Sequence, residues 1–432
     1  MENLPTDLLE RIVGTHLLDI KDRVRFCLAT SKTLLNRLGL SLINSLDYDT
    51  NDKEVHVLFR RHEVALRDDQ LDQYLRFCSG RHIAHAKHIC IISGETPYKS
   101  CEAEHAEEVD SATTVVLKDH QDISGLLQLL MNCESGLNLR IHTLVINRTK
   151  HIEHQISFHD FVALKNLKIF GWDTTSLVLT DRKLPMDLEK LSLSNTYIAT
   201  NPNDDLPIVS LPNLRSLEIR HCYCHAPINS WINSAILCRS LEKLVISSCD
   251  GTRDAFVIDD TIDASHCEKL KHIEVRDLAW NPLRSLQLPV GIQHVDIRNS
   301  GIDKISMPSQ GSHLEVLKLS ILSVFLDDVG DRCKQLWIPA EYLFRIPTEL
   351  LLRLTDIDIA VNGQQWYEYV ERYVFLPLLK SDKVYLDRCT FHMNQGQIDS
   401  RSQVVVSSSR EFLNLLVKVS SRWRRIRVSF EE

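Results

Sequence analysis

Leu164-Lys165-Asn166-Leu167-Lys168-Ile169, Leu188-Glu189-Lys190-Leu191-Ser192-Leu193, Leu214-Arg215-Ser216-Leu217-Glu218-Ile219, Leu241-Glu242-Lys243-Leu244-Val245-Ile246 and Leu270-Lys271-His272-Ile273-Glu274-Val275 share one spelling, L-x-x-L-x-L with aliphatic exchanges. Their starts lie 24, 26, 27 and 29 residues apart. Apolar residues at alternate positions mark a strand with one buried face. Recurrence at that spacing makes each strand one turn of a repeating unit, which can bury its face only against its neighbours. Weaker copies extend the series both ways: Ala86–Ile91, Ala112–Leu117 and Ile141–Ile146 before it, and Ile292–Ile297, Leu314–Leu319, Cys333–Ile338, Leu354–Ile359 and Ser381–Leu386 after it. Trp423–Val428 reads as a last strand.

The spelling resembles that of the leucine-rich repeat. Each turn then contributes a short parallel strand, and the chain returns along a convex side. Leu184-Pro185, Leu211-Pro212 and Leu288-Pro289, just ahead of strand motifs, suit that return path, where proline costs no ladder hydrogen bond. The longer intervals leave room for a convex helix, best spelled at Trp231–Arg239, and the 22-residue intervals after 270 predict shorter returns. The period breaks between Ser381 and Trp423, where Asn394–Val404 reads as a polar loop and Glu411–Val419 has helical spacing. The segment 411–432 is expected to cap the array of 85–432, because an end repeat has no neighbour to cover it.

Residues 1–43 carry three short amphipathic patterns: Leu8, Leu9, Ile12 and Val13; Ile20, Val24, Cys27 and Leu28; Leu34, Leu35 and Leu38. Three such helices make a small core that leans on a partner or on the next domain. The segment resembles an F-box. Leu4, Pro5, Asp7, Leu9 and Ile12 match its opening, Leu18 and Asp22 its middle, and Ala29–Leu34 stands at its V-C-K-x-W ending with Lys32 kept. Leu34 replaces the Trp, Asp7 replaces the Glu, and Gly14-Thr15-His16 runs one residue long. Glu54–Leu66 and Asp69–Phe77 have helical character, so a helical linker over 44–84 is expected. The resemblance implies an α/β chain: a three-helix F-box and, beyond the linker, an irregular leucine-rich-repeat solenoid with strands on its concave face. It further implies a non-catalytic substrate receptor of a Skp–cullin–F-box ubiquitin ligase. Leu4, Pro5, Leu8, Leu9, Ile12, Lys32 and Leu34 would meet the Skp-type adaptor, through it a cullin, and the repeats would hold a protein substrate close to the catalytic subunits. An adaptor-bound scaffold without ubiquitination, a plain repeat-based binding protein or inhibitor, and a hydrolase or metalloenzyme stay open as alternatives.

The residues between the core positions of each strand face the concave surface. From the 164 repeat to the 314 repeat they include Lys168, Lys190, Arg220, Lys243, Arg276, Arg298 and Lys318 against Glu218, Glu274 and Asp296, seven cations to three anions on a chain of net charge −8. This strip suits an acidic or phosphorylated segment of another protein. Further on, the corresponding set is Trp337, Asp356, Asp358, Tyr385 and Asp387, and an aromatic such as Trp337 makes a good interface anchor.

Apolar residues at 44% and charged residues at 25%, with few Gly and Pro, describe a folded chain. The net charge disfavours broad nucleic-acid binding. Residues 1–11, MENLPTDLLER, lack the basic and then apolar order of a secretory signal, and no apolar run approaches the roughly 18 residues of a membrane span. With 12 Cys and no such signal, reduced thiols in the cytoplasm or nucleus are expected. Nucleotide-binding and hydrolase motifs are missing from the sequence, as are paired C-x-x-C motifs, and no cofactor is expected. His221-Cys222-Tyr223-Cys224-His225 resembles a zinc site at first sight. Counting from Leu214, however, Cys222 takes the position just past the strand where these repeats carry Asn or Cys, and Cys249 and Cys389 take the same position counted from Leu241 and Ser381.

Overall fold

A computed structural model describes residues 58–60, 63–68, 71–72, 74–76, 88–93, 113–118, 120, 123–132, 136–149, 158–171, 176–178, 184–199, 211–224, 228–251, 260–278, 283–300, 302, 304–307, 313–320, 329, 331–361, 366–393, 410–423 and 426–431. The three amphipathic patterns of 1–43 and the loop Asn394–Val404 lie outside the described residues. The chain divides into two compact units, Met1–Leu214 and Arg215–Glu432.

In the first unit the strands are β1 (Leu58–Arg60), β2 (Glu63–Arg67), β3 (His88–Ile92), β4 (Thr113–Lys118), β5 (Ile141–Thr149), β6 (Asn166–Gly171), β7 (Ser176–Val178), β8 (Lys190–Ser194) and β9 (Tyr197–Ala199). From β2 through β3, β4, β5 and β6 to β8 they pair parallel, and β7 pairs parallel with β9 in a second, shorter ladder. The inward residues Ile89, Val115, Leu144, Leu167 and Leu191 are buried in register, each worth about 1.5–3 kcal/mol as apolar surface removed from water. The sequence predicts a helical linker over 44–84, yet 58–60 and 63–67 form an antiparallel hairpin whose second strand lines β3. Pairing with β3 satisfies backbone groups along an edge that a helix would leave open, and this overrides the local helical spelling.

The second unit holds β10 (Ser216–Arg220), β11 (Tyr223–Cys224), β12 (Lys243–Ser247), β13 (Asp250–Gly251), β14 (Asp260–Asp263), β15 (His272–Arg276), β16 (Leu283–Gln287), β17 (His294–Arg298), β18 (Lys304–Ser306), β19 (Val316–Leu319), β20 (Gln335–Pro339), β21 (Asp356–Val361), β22 (Arg388–Met393) and β23 (Arg427–Glu431). β10, β12, β15, β17, β19, β20, β21, β22 and β23 pair parallel in that order. Two shorter ladders form where the chain turns back: β11 pairs with β13, and β14, β16 and β18 stack so that Ile262, Leu286 and Ile305 line up, all buried. A long parallel ladder with shorter ones beside it, traversed turn by turn, makes a parallel β-solenoid. A helix forms on the return path at Ile228–Ile236, three residues earlier than the expected Trp231–Arg239, and buries Trp231 and Ile232.

One hydrogen-bond signature sets the frame of each turn. The carbonyl of the second motif residue accepts two N–H groups from the next turn: Arg215 from Glu242 and Lys243, Glu242 from Lys271 and His272, Lys271 from Gln293 and His294, Gln293 from Glu315 and Val316, Glu315 from Lys334 and Gln335, and Lys334 from Thr355 and Asp356. A second signature ends the strand. Asn195, His221, Ser248, Asp277 and Asn299, each directly after a strand, have φ near +50°. Asn, Asp and His tolerate this left-handed region better than other side-chain-bearing residues. The next residue turns inward: Thr196 donates to the Ser194 carbonyl, Cys222 to that of Arg220, and Cys249 to those of Ser247 and Ile219.

The penultimate strand departs from the sequence reading. Thr355 O accepts from Asp387 and Arg388, so the motif of that turn is Leu386-Asp387-Arg388-Cys389-Thr390-Phe391, five residues later than Ser381–Leu386. Arg388 pairs with Asp356 and Phe391 with Ile359. The expected outward residues Tyr385 and Asp387 are therefore corrected to Arg388, Thr390 and His392, and Cys389 is a mid-strand core residue rather than a strand-end thiol. The slip arises because helix 366–380, with a π-helical stretch at Glu371–Phe375, occupies the return path and five extra residues must be accommodated. The capping helix forms at Arg410–Arg422, and its Trp423 donates from Nε1 to the Leu378 carbonyl. β23 follows two residues later than the sequence frame, with Val428 opposite Cys389.

Candidate functional site

On the strand face of the second unit the outward side chains fall into three rows. Register aligns Lys243, His272, His294 and Val316 in the first row. Glu218, Val245, Glu274, Asp296, Lys318 and Trp337 form the second, and Arg220, Ser247, Arg276 and Arg298 the third. Carboxylates thus run along the centre of the face with cations on both sides. Neighbouring strands in a sheet lie about 4.8 Å apart, well within ion-pair reach for long side chains.

Lys243 Nζ donates to Glu218 Oε1 at 2.6 Å, and Arg220 Nη1 to Glu274 Oε1 at 3.0 Å. Arg276 Nε lies 2.8 Å from Glu274 Oε1, and Arg220 Nε lies 3.6 Å from Glu218 Oε2. Arg298 grips Asp296 with two parallel bonds, Nε to Oδ1 and Nη2 to Oδ2, both 2.6 Å, while its guanidinium sits 4.9 Å from the Trp337 ring centre. His272 and His294 stack at 4.1 Å with an 11° interplanar angle. Burial pushes the Glu274 carboxyl up, but His272, Arg220 and Arg276 outweigh it and hold it at about 2. Burial, then His272 and Lys318, depress the His294 imidazole to about 4. Burial also works against the Arg298 charge, and Asp296 more than restores it.

Charge is layered. The Asp296 side chain is 4% exposed beneath Arg298 at 21%, and Glu274 is 11% exposed beneath Arg276 at 34%. The structure therefore gathers Arg220, Lys243, Arg276, Arg298, Lys318 and Trp337, and it spends part of the expected positive strip on internal ion pairs. Lys190 stands on β8 in the other unit. Leu4, Pro5, Leu8, Leu9, Ile12, Lys32 and Leu34 lie outside the described residues. Sequence reading missed the pairing and the stacked His272 and His294, although aligning the motifs in register reveals the three rows. It also missed Arg388, 2.9 Å from Asp356, and His392, 3.6 Å from Asp358, because the slipped frame hides them.

The thiols and imidazoles that suggest zinc part company. His221 and Tyr223 are exposed, Cys222 and Cys224 are buried, and His225 lies outside the described residues. Burial first, then Cys249 and Cys222, raise the Cys224 thiol well above its ordinary value, which disfavours a metal-binding thiolate. Among the described residues no group of three or more His, Cys, Asp and Glu side chains is placed to hold a metal ion, and no helix is long and apolar enough to cross a membrane.

No family profile matches the chain. It is similar to an uncharacterized leucine-rich repeat-containing protein of Amsacta moorei entomopoxvirus, 28% identical over 146 residues, which is 33% of this chain and 26% of that protein. The aligned part thus spans about a quarter of the relative's length. The repeats are thus similar to those of a leucine-rich-repeat protein. Periodic strand spelling, the parallel ladders and the shared carbonyl between turns support that description together with the likeness. A leucine-rich-repeat solenoid of this kind suggests a protein-interaction scaffold.

Proposed function

We propose that this protein is a non-catalytic recognition subunit whose strand face in the second unit binds another protein. The observation that carries the reading is the ordered outward network from Glu218 to Trp337, held by charged hydrogen bonds on a rigid parallel ladder. Such side chains lose little freedom on binding, and an interface anchored by Arg and Trp gains from that.

The finer reading is that the bound protein is a substrate for ubiquitination. Its support is the N-terminal pattern of Leu4, Pro5, Leu8, Leu9, Ile12, Lys32 and Leu34, with its resemblance to an F-box that docks on a Skp-type adaptor and thereby a cullin. On this reading the protein works in the cytoplasm or nucleus, needs no cofactor, and uses neither membrane nor nucleic acid.

Two experiments separate the halves. Photo-crosslinking residues placed at Ser216, Val316 and Gln335 on the strand face should trap protein partners in cells, whereas the same residue at exposed Leu237 or Val290 should not. Cross-links from Leu237 and Val290 alone would overturn the face assignment. Affinity purification of the Leu4→Ala/Pro5→Ala/Leu9→Ala variant should lose adaptor and cullin while keeping the strand-face partner. Absence of both from the parent purification would leave a scaffold without ligase function.

A further inference from the structure

The pairing that neutralises much of the network also orients what remains. Arg298 gives one edge, Nε and Nη2, to both oxygens of Asp296, and the Trp337 ring lies against its guanidinium. A guanidinium has five N–H donors in a fixed fork, so the edge bearing Nη1 is left with its direction set in advance. Lys318 occupies the second row between Asp296 and Trp337, and Arg276 stands next to Arg298 in the third. The carboxylates lie below the cations, so an approaching ligand meets positive charge first. Across Glu218, Arg220, Lys243, Glu274, Arg276, Asp296, Arg298 and Lys318 there are five cations and three carboxylates, a surplus of two. A phosphorylated side chain carries about −1.5 to −2 charges and three strong acceptor oxygens. A single carboxylate would leave half of that surplus unmatched.

We propose that Arg298, flanked by Arg276 and Lys318, forms a subsite for one phosphorylated side chain of a partner polypeptide running across the strands. This rests on the strand face being the binding face. A long polyanion is the poorer fit, since the surplus is local and the chain as a whole carries −8. The low value held by Glu274 keeps its carboxylate ionised, and so keeps the arginines oriented, throughout the pH range in which phosphate is doubly charged.

The test uses the purified full chain and fluorescent degenerate peptide pools with a central phosphoserine, Glu or Ser, together with a single-stranded RNA oligomer. Expected is saturable binding of the phosphoserine pool, competed by millimolar inorganic phosphate, with the Glu pool weaker and the Ser pool unbound. Arg298→Gln should weaken it by about ten-fold or more, as loss of a charged hydrogen-bonding group does. Lys318→Gln, outside the ion pairs described above, should weaken it by a few-fold and guards against misfolding of the first variant. Equal binding of phosphoserine and Ser pools, unchanged affinity in both variants, or tighter binding of RNA would overturn the proposal. Strand-face cross-links to a native partner that survive phosphatase treatment would remove the phosphate subsite and leave the binding face standing. Cross-links lost on phosphatase treatment support the subsite, and absence of strand-face cross-links before any treatment would remove the face itself.

Discussion

Turns β10 to β17 and turns β20 to β23 solve one problem in two ways. In the first group, motif, strand and shared carbonyl coincide, three of the four strands run directly into a left-handed residue and a buried Cys or Leu, and β17 into a left-handed Asn and a buried Ser. In the second group helical segments at 340–345, 348–353, 366–380 and 410–422 fill the returns, and the strand frame slips at β22 and β23, after the two longest of them. Short returns allow little slack, so the apolar spelling decides the register. Long helical returns have apolar residues of their own, and what the helix covers decides where the next strand begins.

The sharpest way to break this contrast is to compare Phe391→Ala with Tyr385→Ala. With the frame at Leu386, Phe391 fills the core and its truncation should cost about 3–5 kcal/mol in urea unfolding, while Tyr385, 56% exposed, should change stability by less than about 0.5. Equal effects would restore the frame at Ser381. Leu244→Ala, in the regular group, should cost about 2–5 kcal/mol.

Next in size is the ion-pair network that the regular group carries. Asp296→Ala strands Arg298 over Trp337 and should cost about 1–3 kcal/mol, whereas His392→Ala in the irregular group, at 3.6 Å from Asp358, should cost under about 1. A reversed order, read from chemical denaturation midpoints, would show that the network contributes nothing beyond surface pairs.

A pH series tests the same region. His294 is depressed from 6.5 to about 4, so the unfolded chain binds the extra proton first and stability should fall as pH drops through that window. Glu274 is lowered from 4.5 to about 2, so its contribution is complete above 4.5 and is lost below it. His294→Gln should flatten the upper part of the slope and leave the lower part. A parallel slope in parent and variant would detach His294 from the linkage.

The smallest effect belongs to the strand end. Ser248 holds φ 51°, and Ser248→Gly should stabilise by about 0.5 kcal/mol while Ser248→Val destabilises. Thermal melts showing no difference between the two would mean that this turn relaxes its backbone.

Most of the fold was legible because the spelling repeats. The strands from β3 to β21 that carry an L-x-x-L-x-L motif sit where the alternating apolar residues place them, and Trp231 lies in the convex helix expected around it. The antiparallel strands at 58–60 and 63–67 were not legible, since their pairing to the edge of β3 is a tertiary contact that local spacing does not show. The candidate site was half legible. Arg220, Lys243, Arg276, Arg298, Lys318 and Trp337 could be assigned to the outward face by counting, but not to ion pairs, because counting gives a side and not a distance.

What the sequence by itself determined is therefore the periodic core: which residues face inward, and that each turn must lean on the next, since an alternating pattern leaves one apolar face per strand to bury. Only the tertiary structure decided the lateral order of charges. Ion pairing across strands joins Lys243 to Glu218 and Arg220 to Glu274, 25 and 54 residues apart in sequence, and even the pairs within one strand, Arg276 with Glu274 and Arg298 with Asp296, depend on carboxylates sinking below their arginines. Coulombic and hydrogen-bond energies are set by those separations and by burial, neither of which a one-dimensional spacing contains.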